Sequence, residues 1–345
     1  FDEAGFERKV TALLRRHGCS PTRIRCRGSE IPDFTHQDWE RMELFSLTRN
    51  PEGPTTDERN ACFHKAGQRI CREMYSEADS PPEHLIHVTC TSYVSPSCVQ
   101  ELVVDRGWSS HTVVTHAYHM GCYASLPATL MARGFLSLPS SRKERRVDIL
   151  HTEFCSGHLQ PADHSPEQIV VQSLFADGFI RYSVFADDHD PGCHRPGLEM
   201  LGQHEIMIPG TRNAITWECG EYGMKMGLSR EVPSLITGYL QPFLAELASR
   251  SGEAPDEMLS GAVFAIHPGG PKIIDQIQTL CHLTDDQVSF SQAILLEYGN
   301  MSSATLPHVW AAVSADPGVV PGTRVVSLAF GPGLSISGAV LVKTA

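Results

Sequence analysis

The order in which short apolar runs and helical stretches alternate limits the folds open to this chain more than any other feature. His84 to Thr91 (HLIHVTCT), Thr112 to Tyr118 (TVVTHAY), Val147 to His151 (VDILH) and Ile180 to Phe185 (IRYSVF) read as strands. Helical stretches lie among them, from Asp57 to Tyr75, closed off by Pro81-Pro82, and from Tyr123 to Arg133. The grammar returns later: Gly261 to His267 (GAVFAIH) is a strand, Gly270 to Leu280 a helix, and Val325 to Phe330 and Ser337 to Lys343 are strands flanking a Gly-Pro-Gly turn. Strands alternating with helices predict a layered α/β fold. A length of 345 residues suits two fused half-domains around a common core, and the repeated pattern predicts two similar halves. Phe1 to His17 is expected as a helix with Phe6, Val10, Leu13 and Leu14 on one face and Gly18 as its stop; Asp187 to Gly197 (DDHDPGCHRPG) is expected as a surface loop. Opening at Phe1 rather than Met leaves room for a preceding segment.

Composition removes several function classes. No stretch reaches the roughly eighteen consecutive apolar residues of a membrane span, and no signal-peptide pattern opens the chain, so a cytoplasmic protein is expected. A net charge of −12 disfavours nucleic acid as a partner, because phosphate neutralisation needs a broad basic surface. The cations are nonetheless grouped: Arg8, Lys9, Arg15, Arg16, Arg23, Arg25 and Arg27 near the start, and Arg142, Lys143, Arg145 and Arg146 later. Each group reads either as a solvated face or as a docking patch for an anionic carrier. Eleven cysteines, an odd number, point to free thiols rather than a disulfide framework. Cys155 with His158, Cys193 with His194 and Cys281 with His282 lack a second pair at ligand spacing, so no metal site is expected.

Three residues carry candidate chemistry. Cys122 follows a strand and opens a small-residue helix, where the unpaired amides and dipole of a first turn favour a thiolate able to accept an acyl group. Read alone, it is equally a small buried hydrophobe. His267 ends an apolar strand and is held there by Pro268-Gly269-Gly270-Pro271, a place where a structural histidine also fits. Asn300 follows Tyr298-Gly299 at the expected start of a helix, where an N-cap is the plain alternative.

Taken together they are more specific. GCYAS at 121–125, AIHPGGPKIIDQ at 265–276, EYGNMSSAT at 297–305 and FGPGLS at 330–335 occur in that order. They resemble the signature set of the chalcone/stilbene synthase family, the type III polyketide synthase branch of the thiolase-like condensing enzymes. VTCTS at 88–92 and QSLFADG at 172–178 agree, and the likeness runs from about Asp57 onward, more faintly before. The resemblance implies a thiolase-like fold, two similar halves stacked as α-β-α-β-α layers, with residues 1–237 carrying the nucleophilic Cys and 238–345 the His and Asn. It also implies a homodimer, with Val94-Ser95-Pro96 crossing toward the partner subunit, and no cofactor, since substrates arrive on phosphopantetheine thioesters.

Carried over by position, Cys122 matches the nucleophile, and His267 and Asn300 match the pair that binds the thioester carbonyl and stabilises the enolate. Two such donors in a dry cavity contribute roughly 3 to 4 kcal/mol each. His267 is further expected to hold the thiolate as an ion pair. Phe330, Gly331, Pro332 and Gly333 match the loop that shapes the cavity, Met226 stands where plant members carry a gatekeeper phenylalanine, and Cys155 is expected to face the cavity. A flexible Met gate suits long acyl chains. These departures resemble the stand-alone pyrone-forming ketosynthases of myxobacterial antibiotic pathways. The reading is therefore a ketosynthase joining two β-ketoacyl chains bound to acyl carrier protein, with lactonisation to an α-pyrone. Arg15, Arg16, Arg23, Arg25 and Arg27 would dock the carrier or a CoA phosphate. The alternatives are an iterative synthase using acyl-CoA and malonyl-CoA, and a catalytically silent partner subunit.

Overall fold

The computed structural model describes residues 3–140, 145–186 and 196–344. Arg142, Lys143, Cys193 and the expected loop from Asp187, apart from Pro196 and Gly197, lie outside the described residues. The chain opens with helix α1 (Glu3–His17), and continues through α2 (Thr56–Glu73), strand β1 (His84–Thr89), α3 (Cys98–Asp105), β2 (Val113–Tyr118), α4 (Ser125–Ser137), β3 (Arg146–Glu153), α5 (Pro166–Leu174) and β4 (Gly178–Phe185). Then follow β5 (Leu198–Met207), the hairpin β6 (Ile215–Gly220) and β7 (Gly223–Leu228), α6 (Val232–Arg250), α7 (Pro255–Leu259), β8 (Val263–Ile266), α8 (Pro271–Leu280), α9 (Asp285–Tyr298), α10 (Thr305–Ala315), β9 (Arg324–Gly331) and β10 (Ser335–Lys343). Local chemistry fixes several helix starts. Thr55 with Glu58, Ser97 with Gln100 and Thr284 with Gln287 form capping boxes that satisfy the first amides of α2, α3 and α9.

Two four-stranded sheets organise these elements. The first has the order β2-β1-β3-β4, with β1 parallel to both β2 and β3 and β4 antiparallel to β3; the second has the order β5-β10-β9-β8. Strand β1 shows why its sequence is apolar without alternation. Leu85 packs with Cys71 of α2 and Val99 of α3 on the outer face, while Ile86 and Val88 pack on Ala128 and Ala132 of α4 on the inner face. Helices α4 and α10 lie between the sheets, where Leu126, Val309 and Val313 meet Ala329 and Ala339. Helices α6, α8 and α9 cover the far face, with Phe243, Ile274 and Val288 against Val326 and Val340. The layers thus run α-β-α-β-α, as the resemblance implied.

The division between residues 237 and 238 needs moving. It cuts α6 in two, and β5, which precedes it, belongs to the second sheet by pairing antiparallel with β10 from Ser335↔Met207 to Lys343↔Leu198. Covering the open edge of β10 is what recruits that strand. Helix α1 forms, and the Gly18 N–H closes it on the Leu14 carbonyl at 2.8 Å. Leu14, however, is 43% exposed rather than part of a buried face. Among the described residues no helix is long and apolar enough to cross a membrane.

Candidate active site

Cys122 sits in the turn between β2 and α4, not on the helix itself, which starts at Ser125. Gly121 has φ +80°, and a Cβ there would stand 2.7 Å from Pro332 Cδ. The Gly331-Pro332-Gly333 turn between β9 and β10 therefore packs directly on the residue before the nucleophile, and only glycine allows that approach. The Cys122 sulfur faces a cavity of about 330 Å³ and lies 3.8 Å from Ser302 Oγ.

His267 continues the register of β8, its N–H donating to Leu328 O at 2.7 Å, so the imidazole is held at the strand end. It is 1% exposed, lines the cavity, and neither ring nitrogen has a hydrogen-bond partner. Asn300 is pinned by its backbone: its N–H donates to Leu174 O and its carbonyl accepts from Ala176 N, both at 2.9 Å. Its side chain is fixed as well, because Oδ1 accepts the Ser302 N–H at 2.9 Å and the amide nitrogen is thereby turned toward the Cys122 sulfur and the Gly269 carbonyl, 3.4 Å away. Asn300 does not open a helix; a short 3₁₀ turn intervenes and α10 starts at Thr305. Ser302 has φ +50°, so this turn is a strained one.

Burial dominates the electrostatics. It pushes the Cys122 thiol up to about 12, against the Ser302 hydroxyl and the Asn300 amide, which pull the other way, and it holds His267 down to about 3. Burial thus disfavours the charged form of each group and works against the thiolate–imidazolium ion pair that the resemblance implied. Whichever nitrogen of His267 carries the proton, that N–H is unspent at the cavity wall, and the Asn300 amide, held on the Gly269 carbonyl and the Cys122 sulfur, lines the same cavity as a second donor, the arrangement an oxyanion requires.

The other expected residues fall as follows. Met226 of β7, Cys155 in the 3₁₀ turn after β3, Phe330, Gly331 and Pro332 all line the cavity. Arg15 and Arg16 are exposed on the last turn of α1. Arg23 pairs with Asp275 at 2.5 Å, Arg25 pairs with Glu297, and Arg27 donates to the carbonyls of Gln172 and Phe175 at the end of α5, at the cavity mouth. Arg23 and Arg25 are thus neutralised within the chain, while Arg15 and Arg16 stay exposed. Arg145 and Arg146 are likewise held, by Glu83 and Asp148.

Several residues that the sequence reading passed over also build the site. Phe175 bridges Asn300 through the backbone and lines the cavity. Trp217 of β6 reaches across it and donates Nε1–H to Cys90 O at 2.5 Å. His158 donates Nε2–H to Thr91 O at 2.7 Å and accepts the Met224 N–H at 3.0 Å, which fixes a neutral tautomer and leaves no nitrogen for a metal. Glu153, fully buried behind Cys90 and Ser302, accepts from Cys90 N at 3.1 Å, Thr91 Oγ1 at 3.0 Å and Ser303 Oγ, while burial raises its pKa. Strand parity was the available signal, since Val147, Ile149, His151 and Glu153 share one face of β3.

Comparison with known proteins agrees with this geometry. Residues 199–345 match the chalcone and stilbene synthase C-terminal domain, a stretch that begins at β5. The 1,3,6,8-tetrahydroxynaphthalene synthase of Streptomyces coelicolor is 27% identical over 291 residues, covering 82% of this chain and 74% of that one. The type III polyketide synthase domain of Steely1 from Dictyostelium superposes with a TM-score of 0.81 at 24% identity, over 100% of this chain and 92% of that one. CsyB complexed with CoA-SH superposes with a TM-score of 0.78 at 20% identity, over 97% and 94% of the two chains. With the domain match and these relatives joined to the fold, the chain is similar to the chalcone and stilbene synthases and to type III polyketide synthases, which are acyltransferase-type condensing enzymes.

Proposed function

We propose that this chain takes an acyl group from a pantetheine thioester onto Cys122 and joins it to the α-carbon of a second thioester whose enolate is held by His267 and Asn300. The observation that carries the reading is the convergence of the Cys122 sulfur, the unpartnered imidazole of His267 and the amide of Asn300 on one cavity. Where the second substrate is a β-ketoacyl thioester its α-proton is acidic enough for direct removal, and His267 is the base; where it is a malonyl thioester, loss of CO2 supplies the carbanion. Attack of an enol oxygen on the remaining thioester would then release an α-pyrone. Asn300→Ala should lower kcat by about 10²- to 10³-fold while leaving acylation of Cys122 measurable by intact mass. An unchanged kcat would remove Asn300 from the oxyanion site.

The donor is the open choice between two readings. CoA thioesters are favoured by the internal pairing of Arg23 and Arg25, which narrows the basic surface open to an acidic carrier protein to the cations of α1. Carrier-protein donors are supported by the exposed Arg15 and Arg16. Reversing both to Glu should raise KM for carrier substrates several-fold and spare small thioester mimics; equal kinetics with both would leave CoA as the donor. A silent partner subunit would have no use for the three converging groups. A homodimer is supported by β2, a sheet edge among the described residues, whose Val113 is 57% exposed and whose His116 meets Ser97 at 3.1 Å.

A further inference from the structure

Away from the cavity, two thiols meet between the helices on the outer face of the first sheet. Cys71, late in α2, and Cys98, the first residue of α3, lie with their sulfurs 3.4 Å apart. Both are buried in the cluster formed with Leu85, Val99 and Leu102, and neither lines the cavity. Condensation has no use for them. The pair is chemically unequal. The Cys71 S–H donates to the Cys98 sulfur, with the Val99 N–H adding to it, so Cys98 is held below its ordinary pKa and Cys71 well above. Burial instead pushes up Cys90, Cys122 and Cys155 around the cavity. A sulfur with thiolate character beside a second thiol is the arrangement that first reacts with a peroxide and then resolves to a disulfide.

We propose that Cys71 and Cys98 form an oxidisable dithiol whose co-reactant is a hydroperoxide, closing to a disulfide that staples α2 to α3 while Cys122 stays reduced. The Cys98 sulfur attacks the terminal peroxide oxygen and the O–O bond breaks; the leaving alkoxide or hydroxide takes up the Cys98 proton, and Cys98 becomes a sulfenic acid. The Cys71 sulfur then displaces its hydroxyl, which departs as water with the Cys71 proton. Two thiols lose two electrons and the hydroperoxide gains them. The sulfurs need only close from 3.4 Å to about 2.05 Å. Cys98 already packs closely on the helix that carries Cys71, since a Cβ at Gly67 of α2 would stand 3.2 Å from its sulfur. The closed loop contains β1 and the Cys90-Thr91 wall of the cavity, so the staple would stiffen the scaffold behind the site.

The test is peroxide titration of the full chain in a Cys26→Ser, Cys219→Ser background, which removes two exposed thiols. Non-reducing peptide mapping at equimolar hydrogen peroxide should join the Cys71 and Cys98 peptides, with a loss of two hydrogens reversed by dithiothreitol, while iodoacetamide still labels Cys122 afterwards. Thermal unfolding of the oxidised protein should rise by a few degrees. In Cys71→Ala the sulfenic acid should persist on Cys98 and be trapped by dimedone. Oxidation of Cys122 ahead of this pair, or a map in which Cys71 and Cys98 stay separate thiols, overturns the proposal. Both readings come from the wild-type pair, so they hold even where a variant folds poorly.

Discussion

Cys122→Ala should show no acyl-enzyme by intact mass under any donor and no condensation product, because no other group at the cavity wall can take its part. Cys90 and Cys155 line the same space, but burial pushes each further from the thiolate, and Cys90 is also engaged with Ser302 at 3.2 Å and with Glu153. The loss is therefore complete rather than partial, since the covalent step has no substitute sulfur. The same burial makes a second measurement decisive. With the thiol pushed up to about 12, iodoacetamide labelling of Cys122 should climb about tenfold per pH unit between pH 7 and 10 without levelling off. Levelling near pH 6 to 7 would show a thiolate already paired with an imidazolium. On the proposed mechanism the proton would leave when a thioester arrives, and His267, which lines the same cavity with no hydrogen-bond partner on either ring nitrogen, is the group placed to receive it. Activity that survives Cys122→Ala would move the chemistry elsewhere.

Much of this was legible in the sequence, and for definite reasons. Strands buried on both faces carry apolar runs, so β1 and β9 stood out, and the Pro268 to Pro271 turn marked the strand end that fixes His267. Strand β5 did not stand out, because LEMLGQHEIM places Glu199, Gln203 and Glu205 among its apolar residues and becomes a strand through its partner β10. The hairpin of β6 and β7 was hidden for a related reason: its two strands make a sheet of their own, and its pattern is set by the cavity that Trp217, Met224 and Met226 line. The arginine group looked like free charge because Asp275 and Glu297, which pair with Arg23 and Arg25, lie far along the chain. Sequence also suggested a thiolate where burial disfavours one. The helix start is a local feature, while desolvation by a cavity is a property of the whole fold.

Acidification should unfold the protein well before its carboxylates are neutralised. His87, His151, His158 and His267 are buried, and burial holds each of them down to about 3. In the unfolded chain each would titrate near 6.5. A depressed folded pKa contributes stability that is fully present above about 6.5 and is lost as the pH falls toward 3, because the unfolded state binds the protons first. Each histidine costs about 1.4 kcal/mol per pH unit below 6.5, so the four together remove roughly 5 kcal/mol by pH 5.5, comparable to the whole stability of a typical domain. Opposing this, burial raises Glu153 and carries Asp177 up to about 6, and their protonation favours the folded state as the pH falls. Burial raises Glu205 as well, but it also lowers His116, His204 and His308, so three carboxyls stand against seven histidines and blunt the loss without reversing it. Thermal unfolding followed by circular dichroism should therefore fall steeply between pH 6.5 and 5. His151→Gln, which keeps a hydrogen-bonding side chain for Ser303 and Tyr182, should flatten that slope by about a quarter. A melting temperature unchanged from pH 7 to pH 5 would mean that these histidines already carry their protons in the folded state, and the neutral imidazole assigned to His267 would fall with them.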